Sequence, residues 1–173
     1  MKKEIIAGSV ALGLAAIAAQ ALRCQPLETV PYVDLKKYVG AWFEIAAFPQ
    51  WFESGCTFTS AAYGLAPDGG IIVKNRCIKD NKIKIAEGRA YVADKTSNAK
   101  LEVQFQWPFK GKYWIIGLGD DYSYAMVGHP NRKYLWILSR RSTLDEQIYN
   151  KLVAQAAEQG FDVRKLVRTM QGV

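Results

Sequence analysis

Gly40-Ala41-Trp42-Phe43-Glu44-Ile45 decides how this chain is read, because it sets a glycine, a core-type indole and a carboxylate at the head of a long series of short alternating segments. Glycine at position 40 permits an unusual dihedral or a close backbone approach. Side chains alternate faces along a strand, so Trp42, Glu44 and Ala46 are expected on one side and Phe43 and Ile45 on the other. Beyond this stretch, turn residues cut the chain into candidate strands at 40–48, 56–65, 71–78, 82–93, 100–106, 111–118, 124–129 and 134–139. The plainest alternation is Leu101, Val103, Phe105 and Trp107 against Glu102, Gln104 and Gln106, one apolar face and one wet face. Pro67-Asp68-Gly69-Gly70, Asp80-Asn81, residues 94–98 and 108–111, and Pro130-Asn131 supply the connections. Eight such strands can close into a barrel that holds one small ligand, and closure removes unpaired sheet edges.

After Arg140 the period changes. Leu144, Ile148, Leu152 and Ala156 recur every four residues, which puts them on one stripe of a helix that ends at Gly160. Ser142 or Thr143 is the expected cap, with Asp145 and Glu146 near the positive end of the dipole. The stripe is expected to dock on the outside of the barrel.

The first motif resembles the opening signature of the lipocalins. Tyr134-Leu135-Trp136-Ile137-Leu138-Ser139-Arg140 resembles the last barrel strand of the bacterial, apolipoprotein-D-like branch of that family. The resemblance runs from about Asp34 to Met170. The family's middle Thr-Asp-Tyr signature is absent, and Asp120-Asp121-Tyr122-Ser123-Tyr124-Ala125 stands in its place, a departure shared by the bacterial relatives. The resemblance implies an all-β fold: an eight-stranded antiparallel up-and-down lipocalin barrel with a C-terminal α-helix packed outside. It also implies that Trp42 packs at the closed end with Arg140 across its ring, so Gly40, Trp42 and Arg140 are assigned structural roles. Residues 161–166 resemble the short segment that follows the family's helix.

At the N-terminus, Lys2 and Lys3 precede an apolar run from Ile5 to about Ala19, and Ala19-Gln20-Ala21 has the small-x-small form of a signal peptidase site. The run is shorter than the ~20 apolar residues of a membrane span. Residues 1–21 are therefore expected to be a signal peptide and residues 22–173 a single domain. The chain carries 23 Lys and Arg against 16 Asp and Glu, a net charge of +7 that falls to +6 when Lys2, Lys3 and Glu4 are removed. The cations are dispersed, which suits solubility and attraction to anionic headgroups and gives no nucleic-acid face.

Members of the resembling bacterial branch are often lipoproteins tethered through a cysteine at the start of the mature chain. Cys24 has that position, but Arg23 precedes it where a small residue is required. A soluble periplasmic protein is expected, with an outer-membrane-attached form as the alternative; Cys24 is left as lipidated, free or intermolecular. Cys56 and Cys77 flank the hairpin that turns at residues 67–70, so pairing of its arms brings them opposite each other and a disulfide is expected.

Catalysis has little support. His129 is the only histidine, stands before Pro130 and has no nearby zinc-ligand set. Ser139 has no strand-turn-helix context for a nucleophile, and Asp120-Asp121 read as turn residues. No catalytic residue, metal site or cofactor is expected. The barrel resemblance implies a cup, for which Glu44, Phe48, Tyr63, Tyr91, Phe105, Tyr113, Tyr124 and Trp136 are the candidate wall and mouth residues. Each buried methylene is worth about 0.8 kcal/mol, so a fatty acid or lysophospholipid is the expected partner. Trp51 and Phe52, in the first long loop, guard the mouth or allow peripheral association with a membrane. The family resemblance implies lipid storage or transport at the bacterial cell envelope. An enzyme on the same barrel and a structural or interaction protein whose aromatics fill the cavity are the alternatives.

Overall fold

A computed structural model describes residues 25–172. The expected signal peptide and Cys24 lie outside the described residues. Helix α1 (Leu35–Tyr38) leads into β1 (Gly40–Ala47), followed by β2 (Thr57–Leu65), β3 (Ile71–Lys79), β4 (Lys82–Val92), β5 (Lys100–Gln106), β6 (Phe109–Leu118), β7 (Tyr124–Gly128) and β8 (Leu135–Ser139). Helix α2 (Glu146–Glu158) and the two-residue strand β9 (Val167–Arg168) complete the chain. Each strand pairs antiparallel with the next, and β1 closes the circuit by pairing with both β2 and β8. This is an eight-stranded up-and-down barrel, with β9 added along the outer half of β1. Among the described residues no helix is long and apolar enough to cross a membrane.

A β-bulge interrupts the β1–β8 ladder between Glu44 and Ala46. Gly40 to Phe43 pairs with β2, and Phe43 to Ala47 pairs with β8. The bulge also corrects the expected alternation. Trp42 and Glu44 point into the barrel, whereas Ile45, Ala46 and Phe48 join the cluster beneath α2. The same cluster takes Ile116, Met126, Leu135 and Ile137 from the outer face of the sheet and Leu152 and Ala156 from the helix. The core therefore has two layers, one inside the barrel and one between barrel and helix.

Helix α2 starts later than expected. Neither Ser142 nor Thr143 caps it; Asp145 does, accepting hydrogen bonds from the backbone N–H of Gln147 and Ile148. A carboxylate at that position satisfies two orphan donors and meets the positive end of the helix. Arg168 ties β9 to α2 through Glu146 at 2.7 Å and lies over the Tyr149 ring at 3.4 Å from its centroid.

The barrel floor is closed by the incoming chain. Val33 donates to the Ser97 carbonyl at 2.7 Å and Val30 to the Ile115 carbonyl at 3.0 Å. Trp42 is fully enclosed, with its indole N–H donating to the Tyr38 carbonyl at 2.9 Å. The Arg140 guanidinium stacks 3.7 Å from the Trp42 ring centroid. It donates to the carbonyls of Ala41, Lys37, Tyr38 and Val39 at 2.8, 2.7, 3.0 and 3.1 Å. Gly40 holds φ at +104°, and a Cβ there would sit 3.2 Å from Arg140 Nη1. A side chain at position 40 would meet both backbone strain and the clamp.

Candidate functional site

Above the floor the barrel opens into a cavity of about 1200 Å³. That exceeds the common size of small-molecule pockets. It leaves no ground for a barrel filled by its own aromatics. Val73, Val103, Ala61 and Ala86 line its walls, because the inward phase of β2 to β5 carries small and apolar residues. The disulfide between Cys56 and Cys77 lies in the same wall, with Cα atoms 5.5 Å apart.

The bottom of the cavity is a layer of phenols. Tyr113 Oη lies 2.8 Å from Tyr38 Oη and 3.1 Å from Tyr63 Oη. Two oxygen–oxygen bonds use two of the three hydroxyl protons, which leaves one donor for anything resting on the floor. Burial pushes the pKa of Tyr38 and Tyr113 far up and that of Tyr63 to about 12, so all three are neutral donors.

Higher on the wall stands a pair of carboxyl groups. Glu44 is buried and accepts from the Thr169 hydroxyl. Burial raises its pKa, a shift the Thr169 bond partly offsets. Glu53 sits in the loop after β1. Burial, reinforced by the charge of Glu44, pushes its pKa up to about 7 against a hydrogen bond with Trp136. Asn75 Oδ1, also on the wall, makes no hydrogen bond within the protein.

Five of the eight residues singled out from sequence line the cavity: Glu44, Tyr63, Phe105, Tyr113 and Trp136. Three do not. Phe48 is turned outward by the β1 bulge and meets Phe161 beneath the helix, with ring centroids 6.2 Å apart. Tyr124 also faces α2, since Ala125 and Val127 take the inward positions of β7. Tyr91 lies on the outer face of β4 beside inward Ala90, flanked by Arg89 and Lys110. Sequence reading missed Tyr38, which precedes the first strand, and Glu53, which falls in a loop without periodicity. A signal for Tyr38 existed in its position four residues before Trp42; Glu53 offered only a lone carboxyl beside Trp51-Phe52.

His129 accepts from the Asn131 backbone N–H through Nδ1 at 3.1 Å, and burial lowers its pKa. The Ser139 hydroxyl is buried and donates to the Thr143 carbonyl at 3.0 Å. Asp121 accepts from the Ser123 N–H in the β6–β7 turn. Each of these polar groups stabilises a local turn. Among the described residues, no cluster of three metal-ligating side chains occurs.

Comparison with known proteins places this architecture. The profile of the lipocalin-like domain matches residues 33–171. Temperature-induced lipocalin-1 of Arabidopsis thaliana is 41% identical over 154 residues, covering 84% of this chain and 83% of that protein. Outer membrane lipoprotein Blc of Citrobacter freundii is 41% identical over 140 residues, covering 80% of this chain and 79% of that protein. Among solved structures, insecticyanin of the tobacco hornworm Manduca sexta shares the fold with a TM-score of 0.71 at 22% identity, covering 86% of each chain. The chain belongs to the lipocalin family, in the branch that holds the bacterial Blc proteins and apolipoprotein D. It is thus one of a family of binding proteins for small hydrophobic molecules, whose members are generally not enzymes.

Proposed function

We propose that this lipocalin binds a single-tailed amphiphile, a fatty acid or lysophospholipid, and stores or carries it at the bacterial cell envelope. The observation that carries the reading is the 1200 Å³ cavity with small apolar walls, a hydroxyl-donating floor and lysines at its mouth. An acyl tail gains about 0.8 kcal/mol per buried methylene against those walls. Lys79 and Lys84 stand at the mouth, where an anionic head would emerge. Glu44, Tyr63, Phe105, Tyr113 and Trp136 are the proposed ligand contacts. The export reading of residues 1–21 supports a periplasmic protein comprising residues 22–173 as one domain. The relative named an outer membrane lipoprotein supports the alternative of attachment through Cys24.

Titration of delipidated protein with saturated fatty acids and lysophospholipids, followed by native mass spectrometry, tests this reading. One ligand per chain is expected, with affinity rising roughly tenfold for every two methylenes until the cavity is full. Ala61→Trp, which fills the wall, should abolish the complex without loss of fold. Absence of any complex, together with no lipid carried through purification, refutes it.

A further inference from the structure

The rim of the open end carries large exposed apolar side chains, several of which also line the cavity entrance. Four loops surround the mouth, and three bear them. Trp51 and Phe52, packed edge-to-face with ring centroids 5.6 Å apart, lie in the β1–β2 loop and are 86% and 49% exposed. Trp107 and Phe109 form the β5–β6 tip and are 83% and 74% exposed. Ile83 and Ile85 project from the β3–β4 hairpin, also exposed. Trp51, Trp107 and Phe109 are the most exposed aromatics among the described residues, and all six side chains share one end of the barrel.

Charge accompanies them. Lys79, Lys82 and Lys84 surround the β3–β4 tip, and Lys110 and Lys112 follow Phe109 on β6. Asp80 lies at the first tip, and Glu102 is engaged by Lys110 at 3.4 Å, so the rim keeps an excess of cations. The hairpin bearing three of these lysines is also splayed. Lys82 to Ala90 of β4 pairs with β3, but only Arg89 to Val92 pairs with β5, which leaves Lys82 to Gly88 projecting past its neighbour.

Exposed Trp and Phe beside lysines suit a bilayer interface, where ring bodies enter the headgroup layer and ammonium groups meet lipid phosphates. We propose that the open end of the barrel docks on an anionic lipid bilayer, with Trp51, Phe52, Trp107 and Phe109 entering the headgroup region and the rim lysines binding phosphate. The mouth then faces the membrane surface. This surface borders the cavity entrance but uses none of the proposed ligand contacts Glu44, Tyr63, Phe105, Tyr113 and Trp136.

The test uses the full chain and vesicles of phosphatidylglycerol with phosphatidylcholine, against vesicles of phosphatidylcholine alone. Sedimentation should show binding to the anionic vesicles that weakens with salt. Lys82→Glu/Lys84→Glu should weaken it by roughly tenfold or more. Trp51→Ser/Trp107→Ser/Phe109→Ser should remove most of it with the melting temperature unchanged, because all three side chains are exposed. Lipid with brominated acyl chains should quench indole emission, and Trp51→Phe/Trp107→Phe should lose that quenching. The N-terminal segment is common to every variant, so anchoring by it would give binding without rim-specific quenching and overturn the proposal. Equal binding to neutral and anionic vesicles would overturn it too. So would rim substitutions that leave vesicle binding intact but break a lipid-free dimer, which would assign the rim to a second copy of the chain. Monomeric fatty-acid binding, read separately, should persist in Trp107→Ser, a rim substitution outside the cavity lining; its loss from wild type would sink the cavity reading and leave docking standing.

Discussion

Replacing Arg140 by alanine removes the clamp over the barrel floor, and its cost can be worked from the contacts. Guanidinium stacking on the Trp42 ring at 3.7 Å contributes about 1 kcal/mol for a half-buried pair. Nη1 makes one bond to Ala41, and Nη2 divides its two protons among Lys37, Tyr38 and Val39. A hydrogen bond from a charged donor is worth about 1.5 to 3 kcal/mol, but water can replace the donor at the exposed carbonyls of Ala41 and Lys37. Nε adds a long bond to the Tyr122 carbonyl at 3.3 Å, and the shared or long bonds to Tyr38, Val39 and Tyr122 together count as about one charged bond, so a total of about 3 kcal/mol follows, or a fall in melting temperature of about 6 to 12 °C. Calorimetry on Arg140→Ala, Trp42→Phe and the double variant separates the stacking term, with an expected coupling of about 1 kcal/mol. Arg140→Lys should recover little, since an ammonium cannot both lie flat on the indole and reach the spread carbonyls. Acyl-chain affinity should survive in Arg140→Ala at temperatures where it is folded. A melting temperature within about 2 °C of wild type, or loss of binding with the fold and stability intact, would refute the placement of this residue at the closed end.

Two further outcomes follow from groups inside the cup. Tyr113→Phe strips the partner from both other phenols, and Tyr38 is too enclosed for water to replace it; urea unfolding should show a loss of about 1 to 3 kcal/mol, more than Tyr63→Phe. Glu53 holds its proton to about pH 7 in the folded protein against an ordinary value of 4.5, and Glu44 shifts the same way. Between these values the unfolded chain has released protons that the folded one keeps, so stability should fall as pH rises from about 4.5 to 7. Melting curves across that range should flatten in Glu53→Gln, and an unchanged slope would count against a buried acid at this position.

The barrel was legible because its signal is local and repeated. Turn residues at Pro67 to Gly70 and Asp80-Asn81 set the strand breaks, and a period of two marks the walls, most plainly from Leu101 to Phe105. The helix was legible by its four-residue spacing, although its cap moved to Asp145 because an acidic side chain nearer the first turn reached two free N–H groups. The cup was only partly legible. In a barrel with a helix against its outer face, both faces of a strand can be apolar, so Tyr124 and Phe48 have inward and outward readings of equal merit in sequence. Packing against Leu152 and Phe161 takes them outward, and that contact joins residues far apart in the chain. Glu53 escaped for another reason: loop residues have no period, and the groups that act on its carboxyl, Glu44 and Trp136, arrive from strands β1 and β8.

The bulge at Ile45 has a bearing on how substitutions in β1 should be read. Within eight residues the strand answers to two different neighbourhoods. Before the bulge, even-numbered positions face the lumen and set its chemistry; after it, Ala46 and Phe48 support the helix. Tolerance to change should thus reverse parity partway along one continuous strand. Straightening the strand while keeping every residue would restore simple alternation, yet it would drive a phenylalanine into the cup and detach the helix from the support it rests on.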